Sequence, residues 1–142
     1  MHVNQDRSKA ITEFRNRQTE DYALYLDMIN LGSRDEHYSS AKSASPGISL
    51  SYANAAAQAY ESAAAIALDN FLTGKELGCI SAFKMPEVEK AGKRAYEIYM
   101  RMGNLPKAKS IASNYVFADR KQMMNDVENA EMFLLKLARI FR

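Results

Sequence analysis

Between Ile48 and Phe83 the chain carries one basic residue, Lys75, and three acids, Glu61, Asp69 and Glu76. Within that stretch Ala53, Ala56, Ala57, Tyr60, Ala63, Ala64, Ala67 and Phe71 recur at steps of three and four, while Ala55, Ala59 and Ala65 keep the other faces small. Such steps place side chains on one face of an α-helix. A helix with so little charge around its circumference is either central to a bundle or covered by a partner. Its alanines let a neighbouring backbone come close, as small residues do at tight helix crossings. Ser45-Pro46-Gly47 forms a turn before it, Ser49 or Ser51 can cap its start, and Gly74 can close it, so this helix is expected over residues 49–73. It is not a membrane span, because Asn54, Gln58, Glu61, Asp69 and Asn70 interrupt it and each would be costly in lipid.

The rest of the chain has the same helical period and no run of alternating β-branched residues, so the expected fold class is all-α. Ile11, Phe14, Tyr22, Tyr25 and Ile29 mark a first helix over 6–31, interrupted in its stripe by Gln18 and closed by Gly32. Ser33 with Glu36 fits a capping box for a short extra helix over 34–43. Pro86, followed by Glu87 and Glu89, starts a helix that buries Val88, Ala91, Ala95, Ile98, Tyr99 and Met102 and stops at Gly103. Asn104 caps the next, with Pro106 in its first turn. The stripe then runs Ala108, Ile111, Ala112, Tyr115, crosses a polar zone at Asp119–Gln122, and resumes as Met123, Val127, Ala130, Leu134, Leu137 and Phe141. That is one long helix bent near Asp119 or two helices split there. The expectation is a single helical domain over 1–142, an antiparallel bundle of four main helices plus the short extra one.

Tyr99, Gly103, Ala108 and Ala112 stand at spacings that resemble the inter-helix half of a tetratricopeptide repeat. The resemblance covers about a sixth of the chain and implies a close helical hairpin. It departs from the repeat at Gly92, where a bulky aromatic is usual, and at Tyr96, where a small residue is usual. No second copy follows at the repeat interval, and the family's peptide binding is not carried over.

Sites of chemistry are sparse. The two histidines, His2 and His37, lack a helical ligand partner at any metal-binding spacing, and no metal or other cofactor is expected. Glu61 and Asp69 are the acids that need a reason to sit in the alanine-rich helix. They read as a solvent-facing edge paired with a neighbour's Lys or Arg, or as buried acids lining a pocket. Cys79, the one cysteine, cannot form an intrachain disulfide and reads as a small apolar residue without a visible activating base. The lone cysteine and the absence of an apolar N-terminal run point to a reducing, cytoplasmic setting. With no catalytic constellation, an enzyme ranks last among the readings, and its site would be a bundle pocket around Tyr60, Glu61 and Asp69.

Charge is distributed unevenly. Residues 84–142 hold twelve bases and seven acids, against six and seven in residues 1–47. Lys90, Lys93, Arg94, Arg101, Lys107 and Lys109 therefore form a candidate nucleic-acid contact, with Tyr96, Tyr99 and Tyr115 interleaved for stacking. Glu87, Glu89 and Glu97 lie among those bases and favour a mixed, solvated face. The leading expectation is a non-enzymatic interaction or scaffold protein acting as a homodimer. Its seam would be the self-complementary face of Ala53, Ala56, Ala57, Tyr60, Ala63, Ala64 and Ala67. RNA binding through the 90–109 hairpin is the alternative.

Overall fold

The structure, a computed structural model, describes residues 2–42 and 44–141. Among the described residues there are five α-helices and no strand: α1 (His2–Ser39), α2 (Pro46–Leu77), α3 (Met85–Arg101), α4 (Leu105–Tyr115) and α5 (Arg120–Ile140). Each helix packs on its neighbours in sequence, and α2 also touches α4. The fold is all-helical, as the periodicity requires.

Two glycines expected to end helices instead let them pack. α1 continues through Gly32 to Ser39, so the separate short helix after Gly32 does not exist. A methyl group at Gly32 would stand 2.9 Å from ring carbons of Tyr60, which is closer than van der Waals contact allows. α2 likewise runs through Gly74, where Phe14 of α1 fills the space a side chain would take, and closes at Gly78 with φ 69°. Ser45 rather than Ser49 caps α2, accepting from the Ile48 N–H, with Pro46 in the first turn. Ser49 has a different partner: its hydroxyl donates to the Ser39 carbonyl (2.6 Å) and the Ser39 hydroxyl donates to the Ser49 carbonyl (2.8 Å).

That clip joins the end of α1 to the start of α2. At the other end, Arg7 donates to the Leu77 carbonyl, so the two longest helices run in opposite directions along their full lengths. Gln18, which breaks the apolar stripe of α1, grips the linker after α2 by both ends of its amide. It donates to the Ile80 carbonyl and accepts from the Ala82 N–H. Beside it, the fully buried Asn70 donates to Asp21 (2.8 Å) and accepts from Ser81 (2.6 Å), whose oxygen accepts in turn from the Phe83 N–H. A buried amide with partners on both sides holds three segments in register, and removing it strands the others. Asn70→Leu is expected to lower unfolding stability by about 2 kcal/mol; an unchanged urea midpoint would show that the network contributes nothing net.

The last stretch contains two helices, split at residues 116–119. Val116 is extended and fully buried, and the Phe117 and Ala118 N–H groups both donate to the Glu89 carboxylate of α3, at 3.0 and 3.1 Å. Asp119 stands at the N-cap of α5 but directs its carboxylate to Lys93. Among the described residues there are therefore five helices where four and a short one are expected.

Candidate functional site

The alanine face is covered by the chain itself. Ala56, Ala57, Ala63, Ala64 and Ala67 are fully buried, Tyr60 is nearly so, and Ala53 is partly buried. Ala56, Ala57 and Tyr60 pack with Ala95, Ile98 and Tyr99 of α3 and with Ile111 and Ala112 of α4. Ala63, Ala64 and Ala67 pack with Tyr25 of α1, with Phe83 of the linker, and with Val88 and Ala91 of α3. A second copy cannot reach this face without opening the bundle. The expectation of a seam there arises from how little charge α2 carries around its circumference, whereas Tyr25 and Ile29 of α1 together with α3 and α4 supply the cover.

Lys90, Lys93 and Arg94 stand together with Glu97 around one concavity, whereas Arg101 and Lys109 line two others. Lys93 pairs with Asp119; Arg94 and Arg101 both approach Glu36 of α1 at 3.8 Å; Lys107 approaches Glu61 of α2 at 3.8 Å. Of the six candidate nucleic-acid contacts, these four face carboxylates of other elements, which cancels much of the local field. Tyr96 and Tyr99 are buried rather than offered for stacking. The Tyr96 hydroxyl donates to the Met123 carbonyl, and that of Tyr99 donates to Glu61 (3.1 Å).

The departures from the tetratricopeptide pattern have a local cause. Gly92 lies against Tyr115, where an added methyl group would stand 2.7 Å from the Tyr115 Cβ. Tyr96 reaches past α4 to hold the start of α5. The hairpin is close, but it is built on Gly92 rather than on an aromatic.

No reacting set of groups assembles around the candidate chemical residues. Glu61 is bound to Tyr99 and drawn to Lys107, whereas Asp69 is exposed and faces Arg17 at 3.7 Å, so the two acids do not meet. His37 is exposed and rests near the Tyr38 ring; the side chain of His2 lies outside the described residues. Cys79 is half-buried in the linker, its thiol directed at the Leu77 carbonyl (4.0 Å). Among the described residues no three His, Cys, Asp or Glu side chains group as metal ligands, and no helix is long and apolar enough to cross a membrane.

Two concavities bear on the candidate site. One, about 340 Å³, lies between the end of α1, the start of α2 and the end of α3, lined by Glu36, Ser39, Ser49, Ala53, Ile98 and Arg101. Ser39 and Ser49 are occupied in their mutual clip, Ser40 also lines the cavity, and the Glu36 carboxylate stands 3.8 Å from both Arg94 and Arg101. Tyr60 beside it is pushed up to about 12 by burial, then by the neighbouring Glu36 carboxylate, and stays protonated at neutral pH.

The second is a groove of about 630 Å³ between the start of α4 and the middle of α5, lined by Gly103, Leu105, Pro106, Lys109, Glu131, Leu134 and Leu135. It opens onto the feature that sequence reasoning missed. Met123 and Val127 of α5 are buried, yet Met132, Phe133, Leu134 and Leu135 are each more than half exposed, and Ile140 and Phe141 are 72% and 83% exposed. Consecutive residues stand about 100° apart on a helix, so four consecutive apolar residues span about 300° and look in nearly every direction. A helix apolar all round is normally covered. The cause is a difference of length. α4 has 11 residues and α5 has 21, about 16 Å against about 31 Å, so α5 outruns the helix it packs on. The run of four apolar residues was the available signal. No family model, curated protein or solved structure matches the chain.

Proposed function

We propose that this chain is a non-enzymatic interaction module: an antiparallel helical bundle that serves as a scaffold in the cytoplasm and meets a protein partner through the C-terminal half of α5. The observation that carries this reading is the exposure of Met132, Phe133, Leu134 and Leu135 on a continuous helix, with a groove alongside. A concentrated apolar surface of this kind marks an interaction site more often than scattered apolar residues do. An amphipathic helix laid into an apolar groove is a recurrent recognition mode. Nucleic-acid binding through the α3–α4 hairpin draws no comparable support, since Lys93, Arg94, Arg101 and Lys107 each already face a carboxylate.

A photoreactive phenylalanine analogue in place of Met132 tests the reading. Irradiation is expected to give covalent adducts with protein that disappear on Phe133→Ser with Leu134→Ser. Helicity should persist in that variant, because both side chains are more than half exposed. Adducts confined to phospholipid, or no adducts at all, would count against the proposal.

A further inference from the structure

The charges flanking the exposed apolar run identify its occupant. Asp126, Glu128 and Glu131 precede the run, and Lys136 and Arg139 follow it. Arg139 lies in the last turn, where the helix dipole favours a base. The acids owe nothing to the dipole, because the first turn of α5 begins with Arg120 and Lys121 and holds no acid. Among the described residues, neither Glu128 nor Arg139 enters an ion pair within the chain. Glu128, Met132, Leu135 and Arg139 are spaced four, three and four apart, which places them on one stripe of the helix. The stripe is acidic at one end, basic at the other and apolar between, so it complements its own reverse.

We propose that this stripe pairs antiparallel with the same stripe of a second copy, about a two-fold axis between Phe133 and Leu134. The inference rests on the reading of α5 as a protein-binding surface and names the partner. One register satisfies both kinds of contact. It sets Met132 against Leu135 of the second copy and Glu128 against Arg139 of the second copy, and symmetry repeats each contact. A parallel arrangement would place Glu128 beside Glu128 and Arg139 beside Arg139. Leu135 and Glu131 also line the groove with Gly103, Leu105 and Pro106, so a helix seated on this stripe lies next to the start of α4. Two such overhangs, packed together, give each other the cover that the short α4 does not provide.

Light scattering and sedimentation of the purified full chain test this directly. The wild type is expected to be a dimer. Glu128→Arg and Arg139→Glu are each expected to weaken self-association about tenfold, through two like-charged pairs. The double variant should restore it, as should mixing the two single variants, which re-forms both unlike pairs only in the heterodimer. A wild type that is monomeric at high concentration overturns the pairing, and so does a dimer indifferent to both charge reversals. The two proposals fail separately. Monomeric chain whose position 132 still cross-links to another protein removes the second copy but keeps the interaction module, whereas adducts to lipid alone remove both.

Discussion

Gly92→Ala is expected to destabilise the fold by about 1–3 kcal/mol, and Gly92→Val by more, although alanine is the better helix former by about 1 kcal/mol. The added methyl group would stand 2.7 Å from the Tyr115 Cβ and 3.1 Å from the Tyr115 carbonyl oxygen. Neither is the end of a flexible side chain that could swing aside. Tyr115 ends α4, and the backbone after it is fixed by the buried Val116 and by two N–H groups bound to Glu89. Relief would have to move α4 away from α3, disturbing the shared contacts of Ala95, Ile111 and Ala112. Gly47 supplies the control. It lies in the first turn of α2 with nothing within 4 Å of an added methyl group, so Gly47→Ala should be neutral or stabilising by up to about 1 kcal/mol. Urea unfolding of the two variants should give shifts of opposite sign. A Gly92→Ala protein more stable than wild type would show that the α3–α4 approach is looser than described.

The same residue type explains where sequence reading succeeded and where it stopped. A glycine that ends a helix and a glycine that admits a neighbouring helix both exist because a Cβ is missing, and a single sequence gives no way to tell them apart. Gly78 ends α2, whereas Gly32 and Gly74 admit Tyr60 and Phe14. Helix starts were more legible because a capping side chain and a first-turn proline act locally. Asn104 and Pro106 mark α4, and Pro86 marks α3, as expected. Ser45 was obscured by the serines that follow it, one of which is bound to Ser39 across the turn.

The alanine-rich face was legible as a close contact but not as a contact within the chain. Which surface covers it depends on how α3, α4 and the Tyr25–Ile29 stretch of α1 pack on α2, long-range contacts that a helical period does not record. The exposed half of α5 posed the converse difficulty. Its stripe of Met123, Val127, Ala130, Leu134, Leu137 and Phe141 has an even helical period, and periodicity does not record whether a covering helix is long enough. That is decided by the break at 116–119, where Glu89 captures two backbone N–H groups from 28 and 29 residues away. Such a contact is long-range and leaves no local pattern. Glu61 illustrates the same limit: its place in a charge-poor helix was visible, but Tyr99 and Lys107, the groups that explain it, come from two other helices.

Alkaline pH is expected to unfold this protein well before its helices would lose intrinsic propensity. Tyr60 is pushed up to about 12, first by burial and then by the hydrogen bond and charge of Glu36. Tyr99 is raised further, again by burial first and then by the Glu61 carboxylate to which it donates. In the unfolded chain both titrate near about 10. The folded state holds these protons more tightly, so their contribution is complete below pH 10 and falls as pH rises through the folded-state values. One pKa unit corresponds to about 1.4 kcal/mol, so Tyr60 alone should remove roughly 2 kcal/mol of stability by pH 12. That is a large fraction of what holds a domain of this size together. Tyr60→Phe is expected to lower stability modestly at pH 7 while flattening the decline above pH 10, and Tyr60→Phe with Tyr99→Phe should flatten it further. The decisive measurement is the urea midpoint of wild type and both variants between pH 8 and pH 12. Equal slopes for all three would mean that Tyr60 and Tyr99 are not the groups that titrate, and would shift the alkaline loss onto Tyr25, Tyr96 and Tyr115, which burial also raises.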